Sequence, residues 1–417
     1  MPISLGSAVR TEFPYFDAHP GSVYLDSGAT SQRPARVIDA EADFVRSDYA
    51  AVHRGSSMAT GEATWAFENA RDRVAGFVGA GERELVWTSN ATDALNVIAL
   101  GMADASLGLG GDRFALRPGD EIVVTEAEHH ANLLPWQRLA AKSGATLRWV
   151  PVDALGLWTI DALREVVTAR TRVIAFGHVS NVTGLIAPVA DVVAVAREVG
   201  ALTVLDACQS VPHMPVDVAA LGVDFAVFSS HKMLGPTGIG ALYGRAELLD
   251  ELPPARTGGS MITVVSMESA EFLPAPHRFE AGTQPVSQAV GFGAAAEYFG
   301  QVGMDAVWAH ESELAQVLVD TVRGVPGVRL FGPPAGERRA ALVSFAVDGV
   351  HAHDVGQFLD DKAITVRTGH HCAQPLHRAL GTPATTRASA SIYTTRDDIA
   401  ALGAALSDVR GFFGADR

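Results

Sequence analysis

Lysine is nearly missing from this chain. Among 417 residues there are three, Lys142, Lys232 and Lys362, against 29 arginines. A chain that uses Arg almost everywhere for positive charge keeps Lys where it needs an amine that can lose its proton, which Arg cannot supply. Cysteine is as scarce: Cys208 and Cys372 are the only two, too few for a disulfide framework. Positive charge is in deficit, with a net charge of −15. Phosphate repels such a chain, which argues against nucleic acid or an anionic membrane as partner. No uninterrupted apolar run of bilayer-spanning length occurs. The first residues, MPISLGSAVRTEFPYFDAHPG, lack a basic segment followed by an apolar core, so no signal peptide is expected. A cytoplasmic location is the expectation.

What is present is a well-packed composition, 48% apolar and 19% charged, in a chain long enough for two domains. Apolar, β-branched runs alternate with helical-period segments from about residue 84 to 245. Strands are expected at 84–88, 121–125, 147–151, 173–177, 202–206, 225–229 and 240–243. Helices are expected at 91–101, 134–143, 160–168 and 189–199. This alternation implies an α/β fold with a mostly parallel, seven-stranded sheet covered on both faces. Only residues 232–239 precede the last strand, too few for a crossover helix, so that strand should run antiparallel. Residues 246–290 read as irregular. Two helices, 288–301 and 304–322, lead into a smaller α+β unit with strands at 342–346, 364–367 and 388–390 and helices at 352–362 and 396–413. The expected division is a large domain, 20–295, and a small one formed by 1–19 and 296–417.

Asp206 ends the run Ala201–Asp206, and Lys232 follows the run Phe225–His231. Both fall where a buried strand meets its loop, the place where open α/β sheets put ligand chemistry. An amine and a carboxylate at neighbouring strand ends suit pyridoxal 5'-phosphate: the amine forms a Schiff base with the aldehyde, and the carboxylate keeps the pyridine nitrogen protonated. Other strand ends supply further candidates. Asn90-Ala-Thr92-Asp93 opens a helix and can serve as a phosphate site or simply as a cap. His129, in Glu128-His-His-Ala-Asn132, can stack on the ring and move protons. Asn181 can bind a substrate carboxylate or the cofactor, or merely form a turn. Gln209 can donate to the ring's phenolate oxygen. Ser229 and His231 are candidate phosphate donors, and Cys208 reads as a small buried hydrophobe.

Cys372 lies in Arg367-Thr-Gly-His-His-Cys-Ala-Gln-Pro375, a loop whose Arg and His neighbours favour a thiolate. Consecutive His-His-Cys ligands converge poorly on a metal, so a nucleophile is preferred and no metal is expected. Arg367 and Arg387 lie on strands bracketing the loop, and either can pair bidentately with an α-carboxylate.

These residues, with Tyr24–Ser27, Ala51–Gly55, His178–Asn181, Gly235–Gly240, Arg278–Thr283 and Arg387–Ser389, resemble the SufS-type (group II) cysteine desulfurases of the class V aminotransferase family, fold type I pyridoxal-phosphate enzymes. The resemblance implies Lys232 as the Schiff-base lysine, Cys372 as the sulfur acceptor, and Asn181 and Arg387 as ligands of the carboxylate of L-cysteine. It implies a homodimer in which Gly282 and Thr283 reach the other subunit's cofactor phosphate. It also implies that sulfur leaves Cys372 as a persulfide bound for iron–sulfur cluster assembly. His353, 19 residues before Cys372, matches a histidine with which such enzymes capture the zinc of a SufU-type acceptor. Two positions depart from the family's habit, Ser57 and Thr394. A selenocysteine lyase or another class V enzyme on the same fold is the alternative, and a cofactor-binding scaffold is the non-enzymatic one.

Overall fold

The computed structural model describes residues 5–415. Its organising element is a seven-stranded sheet. The strands lie in the spatial order Leu85–Thr88, Gly240–Gly244, Phe225–Ser229, Leu202–Asp206, Thr171–Gly177, Glu121–Thr125, Thr146–Val150. Gly240–Gly244 runs antiparallel to both its neighbours, and every other neighbouring pair is parallel. Every residue of the strands Leu85–Thr88, Glu121–Thr125, Phe225–Ser229 and Gly240–Gly244 is buried. That burial is why those stretches read as unbroken apolar runs and not as alternating ones. Helices including Ala91–Ser106, Leu134–Ser143 and Val189–Val199 make the crossovers.

The parallel strands all end at one edge, where Thr125, Gly177, Asp206 and Ser229 stand in line, with Gly177 opposite Asp206. Gly240 starts the antiparallel strand at the same edge, opposite Ser229. A Cβ there would lie 2.7 Å from the Asn90 Cα and 2.8 Å from the Phe228 carbonyl oxygen. Only glycine lets the turn before helix Ala91–Ser106 sit down on the sheet.

A second, antiparallel sheet has the order Val328–Phe331, Leu342–Val347, Thr385–Ser389, Arg367–Gly369. Helices Met304–Arg323, Ala352–Asp360 and Arg396–Phe412 cover it, with Leu314, Leu318, Phe358, Leu402 and Leu406 in its core. Val23–Tyr24 pairs in parallel with Ile364–Thr365, and Val23 and Leu25 pack in this same core.

Two expectations need correction, and one element was not foreseen. Residues 246–290 are not uniformly irregular: they hold helix Ala246–Glu251 and a hairpin of Ile262–Val265 with Ala270–Phe272. The strand expected at 364–367 is broken at Val366 because its halves pair with different partners, Val23–Tyr24 and Thr385–Ser389. Helix Met58–Phe77 was not foreseen; Ser57 caps it, its Oγ accepting from the Thr60 N–H at 3.2 Å. Thr394, the other departure, is buried and accepts from the Ser391 N–H at 2.9 Å. Both departures therefore serve local backbone structure.

Candidate active site

The loops leaving the aligned strand ends enclose a cavity of about 400 Å³, within the usual range for cofactor and ligand pockets. It is lined by Thr92, His129, Asn181, Asp206, Gln209, Ser229, His231, Lys232 and Arg367, together with Cys208 and Glu128. Asp206 closes strand Leu202–Asp206, where the Cys208 N–H donates to its Oδ1 at 3.0 Å. Lys232 ends the single turn Ser230–Lys232 after strand Phe225–Ser229. Ser229 lines the cavity and accepts from the Ala91 N–H at 2.9 Å. His231 is held neutral, its pKa lowered to about 4 by burial and then by the Lys232 charge. Gln209 donates from Nε2 to the Gly28 carbonyl at 2.7 Å, while its buried Oε1 has no partner.

His129 Nδ1 accepts from the Ala131 N–H at 3.0 Å. The proton of the neutral ring therefore sits on Nε2. Burial, followed by the charge on Lys232, lowers its pKa to about 4, so the neutral form holds at physiological pH.

Glu128, which the sequence reading left without a role, precedes this histidine and is buried. Thr125 Oγ1 and the Gly177 N–H donate to its Oε1 at 2.5 and 3.1 Å, and Asn132 Nδ2 donates to Oε2 at 2.7 Å. Trp136 Nε1 in turn donates to Asn132 Oδ1 at 3.0 Å. Burial pushes the Glu128 carboxyl up to about 7 against those three donors, and the nearby Asp206 adds to the rise. The glutamate ties the His129 loop to strand Thr171–Gly177.

Cys372 approaches from the second sheet. Arg367 Nη2 lies 3.8 Å from its Sγ. His371 and Cys372 have φ of +49° and +57°, a left-handed backbone that costs a non-glycine residue on the order of 1–3 kcal/mol. Contacts from the large sheet hold them there: the His130 N–H donates to the Cys372 carbonyl at 2.6 Å, and Asn181 Nδ2 donates to the His371 carbonyl at 2.7 Å. His130 was passed over in the sequence because adjacent side chains on an extended segment diverge, which set the His129–His130 pair aside as a metal site and left His129 preferred.

Other candidates lie outside the cavity wall. Arg387 is buried behind it, bonded to the Asn181 carbonyl at 2.9 Å and to Asp26 at 3.2 Å, with its Nε unpartnered. Thr283, next to Gly282 with its φ of +90°, lines a neighbouring cavity of about 230 Å³ that shares Ser89 and Gly238 with the main one. His353 is exposed at the start of helix Ala352–Asp360, and its N–H donates to His351 Nδ1 at 3.3 Å; His351, not His353, caps that helix. One further grouping, His53, Glu68 and His277, has ligand-type atoms close together. Glu68 is already taken by His53 at 2.6 Å and Arg71 at 2.7 Å.

The donor set fits pyridoxal phosphate. An amine and a carboxylate flank one cavity. A neutral imidazole lines it, hydroxyl and amide donors gather at a helix start, and Gln209 Nε2, which gives one proton to the Gly28 carbonyl, keeps a second to donate.

A class-V aminotransferase profile matches residues 23–402, and the chain belongs to that family. It is 53% identical over 415 residues to a probable cysteine desulfurase 2 of Mycobacterium leprae, covering 98% of each chain. It is 41% identical over 423 residues to a cysteine desulfurase of Haloferax volcanii, covering 97% of each. Among solved structures, the apo cysteine desulfurase of Thermococcus onnurineus NA1 superposes with a TM-score of 0.90 at 36% identity, covering 97% of this chain and 98% of that one.

Proposed function

We propose that the protein is a pyridoxal-phosphate-dependent cysteine desulfurase that converts L-cysteine to L-alanine and takes the sulfur onto Cys372. The observation that carries this reading is Cys372 itself. A strained loop holds the thiol beside Arg367, and the loop is bonded to the two residues, His130 and Asn181, next to and within the cavity that contains Lys232 and Asp206.

The bound cofactor would act as an electron sink for the substrate's α-carbon. The residues divide the remaining work. Asp206 would keep the pyridine nitrogen protonated, and Lys232 would hold the cofactor and supply the amine that moves the α-proton. Thr92, Ser229 and His231 would hold the phosphate, Gln209 would donate to the ring oxygen, and His129 would bring its Nε2–H for proton transfer. Arg367 and Asn181 receive the α-carboxylate from the cavity wall, and Arg387 joins them from behind by exchanging its Asp26 contact. Cys372 Sγ attacks the substrate sulfur: an S–S bond forms, the Cβ–S bond breaks, and its electron pair stays on carbon, which takes up a proton to become the methyl group of alanine.

The finer proposal is a SufS-type enzyme, acting as a homodimer in the cytoplasm, whose sulfur goes to iron–sulfur cluster assembly. Thr283, facing a cavity beside the main one, would serve the partner subunit's phosphate together with Gly282. Exposed His353 would capture the zinc of a SufU-type acceptor. Stimulation by such an acceptor should vanish in His353→Ala; equal stimulation of variant and wild type would exclude the capture role.

The direct test incubates the holoenzyme with L-cysteine and a reductant. Alanine and sulfide should appear in equal amounts with wild type and be lost in Cys372→Ser. Undiminished product from the variant would sink the proposal and turn attention to selenocysteine.

A further inference from the structure

The segment around Cys372 is held shut by three hydrogen bonds from the large sheet, each to a different residue. Asn181 Nδ2 holds the His371 carbonyl at 2.7 Å, the His130 N–H holds the Cys372 carbonyl at 2.6 Å, and His130 Nε2 accepts from the Gln374 N–H at 3.0 Å. Two of the three therefore come from one residue. The Gln374 N–H starts helix Gln374–Ala379, where no helical carbonyl is available to it. Between these anchors His371 and Cys372 keep φ of +49° and +57°. Side chains crowd their own backbone in that region, so the loop has a reason to relax once an anchor lets go.

The His130 ring can accept only while Nε2 is unprotonated. Burial and the facing His370 both lower its pKa, and the His129 ring lies 6.4 Å away. Of the three anchors, the His130 N–H is backbone, whereas the His130 ring and the Asn181 amide are side chains that can rotate away from the loop.

We propose that His130 is a positioning residue for sulfur transfer: its ring latches the Cys372 loop closed while the thiol stands beside Arg367 of the cavity wall, and loss of that bond lets the loop carry its sulfur outward. The inference rests on the reading of Cys372 as the sulfur acceptor. Turnover needs both states, since the thiol must meet a buried substrate first and an external acceptor afterwards.

The test is the rate at which iodoacetamide alkylates Cys372 in resting holoenzyme, read by mass spectrometry of the Cys372 peptide. Buried Cys208 serves as the silent control. Losing one hydrogen bond should speed alkylation about 3- to 10-fold in His130→Ala, with the cofactor absorbance unchanged. His130→Gln, whose amide oxygen can accept from the same N–H, should return the rate toward wild type. Alkylation that ignores residue 130, or a Gln variant as fast as the Ala variant, would overturn the latch. The readout needs no turnover. Faster alkylation in His130→Ala alongside a wild type that releases no alanine would keep the latch and remove the desulfurase reading. Normal alanine release with alkylation indifferent to residue 130 would remove the latch alone.

Discussion

Cys208 follows strand Leu202–Asp206 and Cys372 follows strand Arg367–Gly369, and the two loops treat the same thiol in opposite ways. Cys208 is buried at the sheet's edge. Burial and the neighbouring Asp206 carboxylate push its pKa far up, which keeps it a neutral thiol. Its loop is built on ordinary backbone and braced by Asp206. Cys372 is half-exposed, stands on left-handed backbone and has the Arg367 guanidinium beside its sulfur. The first loop belongs to the packed floor of the cavity. The second is an arm from another sheet, reaching across on few contacts. A thiol's chemistry is set by what surrounds it, and its usefulness in transfer by whether its backbone can move.

The sharpest way to break this comparison is to exchange the roles. Cys372→Ser should lower alanine formation roughly 1,000-fold or more, as removal of a nucleophile does, whereas Cys208→Ser should leave turnover within a small factor. Comparable losses from both would mean that the two loops do not differ as described. A smaller effect is expected from Asp206→Asn, which keeps the acceptor for the Cys208 N–H but loses the charge facing the cofactor. A charge-assisted hydrogen bond of about 1.5–3 kcal/mol corresponds to about a 10- to 100-fold loss of kcat. An unchanged kcat would remove Asp206 from the chemistry.

Glu128 sharpens the contrast from the rigid side. Its carboxyl is raised to about 7 from an ordinary 4.5. Between those values the folded protein keeps a proton that the unfolded chain has released. Stability therefore falls as pH rises through that window, by at most about 3 kcal/mol, and levels off above it. Glu128→Gln should flatten this dependence in urea unfolding of the cofactor-free protein between pH 5 and 7.5. Identical slopes for variant and wild type would contradict the buried-carboxylate account. The smallest effect belongs to Cys208→Ala, where loss of one small buried side chain should cost about 1 kcal/mol or less. A loss of several kcal/mol would show that the floor depends on this thiol.

The strand ends were legible because each buried strand announces itself locally: an apolar run, then a polar residue at the edge. Asp206, Ser229 and Lys232 were found that way, and the structure brings them to one cavity. Helix Met58–Phe77 escaped notice because its pattern is blurred by Gly61 and by exposed Met58 and Trp65. The hairpin at 262–272 escaped because Val264, Val265 and Met267 are exposed, so no buried face gives it an alternating pattern. The left-handed φ of His371 and Cys372 had no glycine to announce it.

The order of amino acids alone determined the mostly parallel sheet and the amine and carboxylate at its edge. These follow from hydrophobic periodicity and from chemistry carried by single residues, both local properties. Only the tertiary structure decided that Glu128 braces Gly177, that Arg387 sits behind Asn181 on Asp26, and that His130 grips the Cys372 loop. Those bonds join residues from 49 to 361 positions apart. A hydrogen bond needs its donor and acceptor within about 3 Å, and no local pattern records which distant segment will supply the partner.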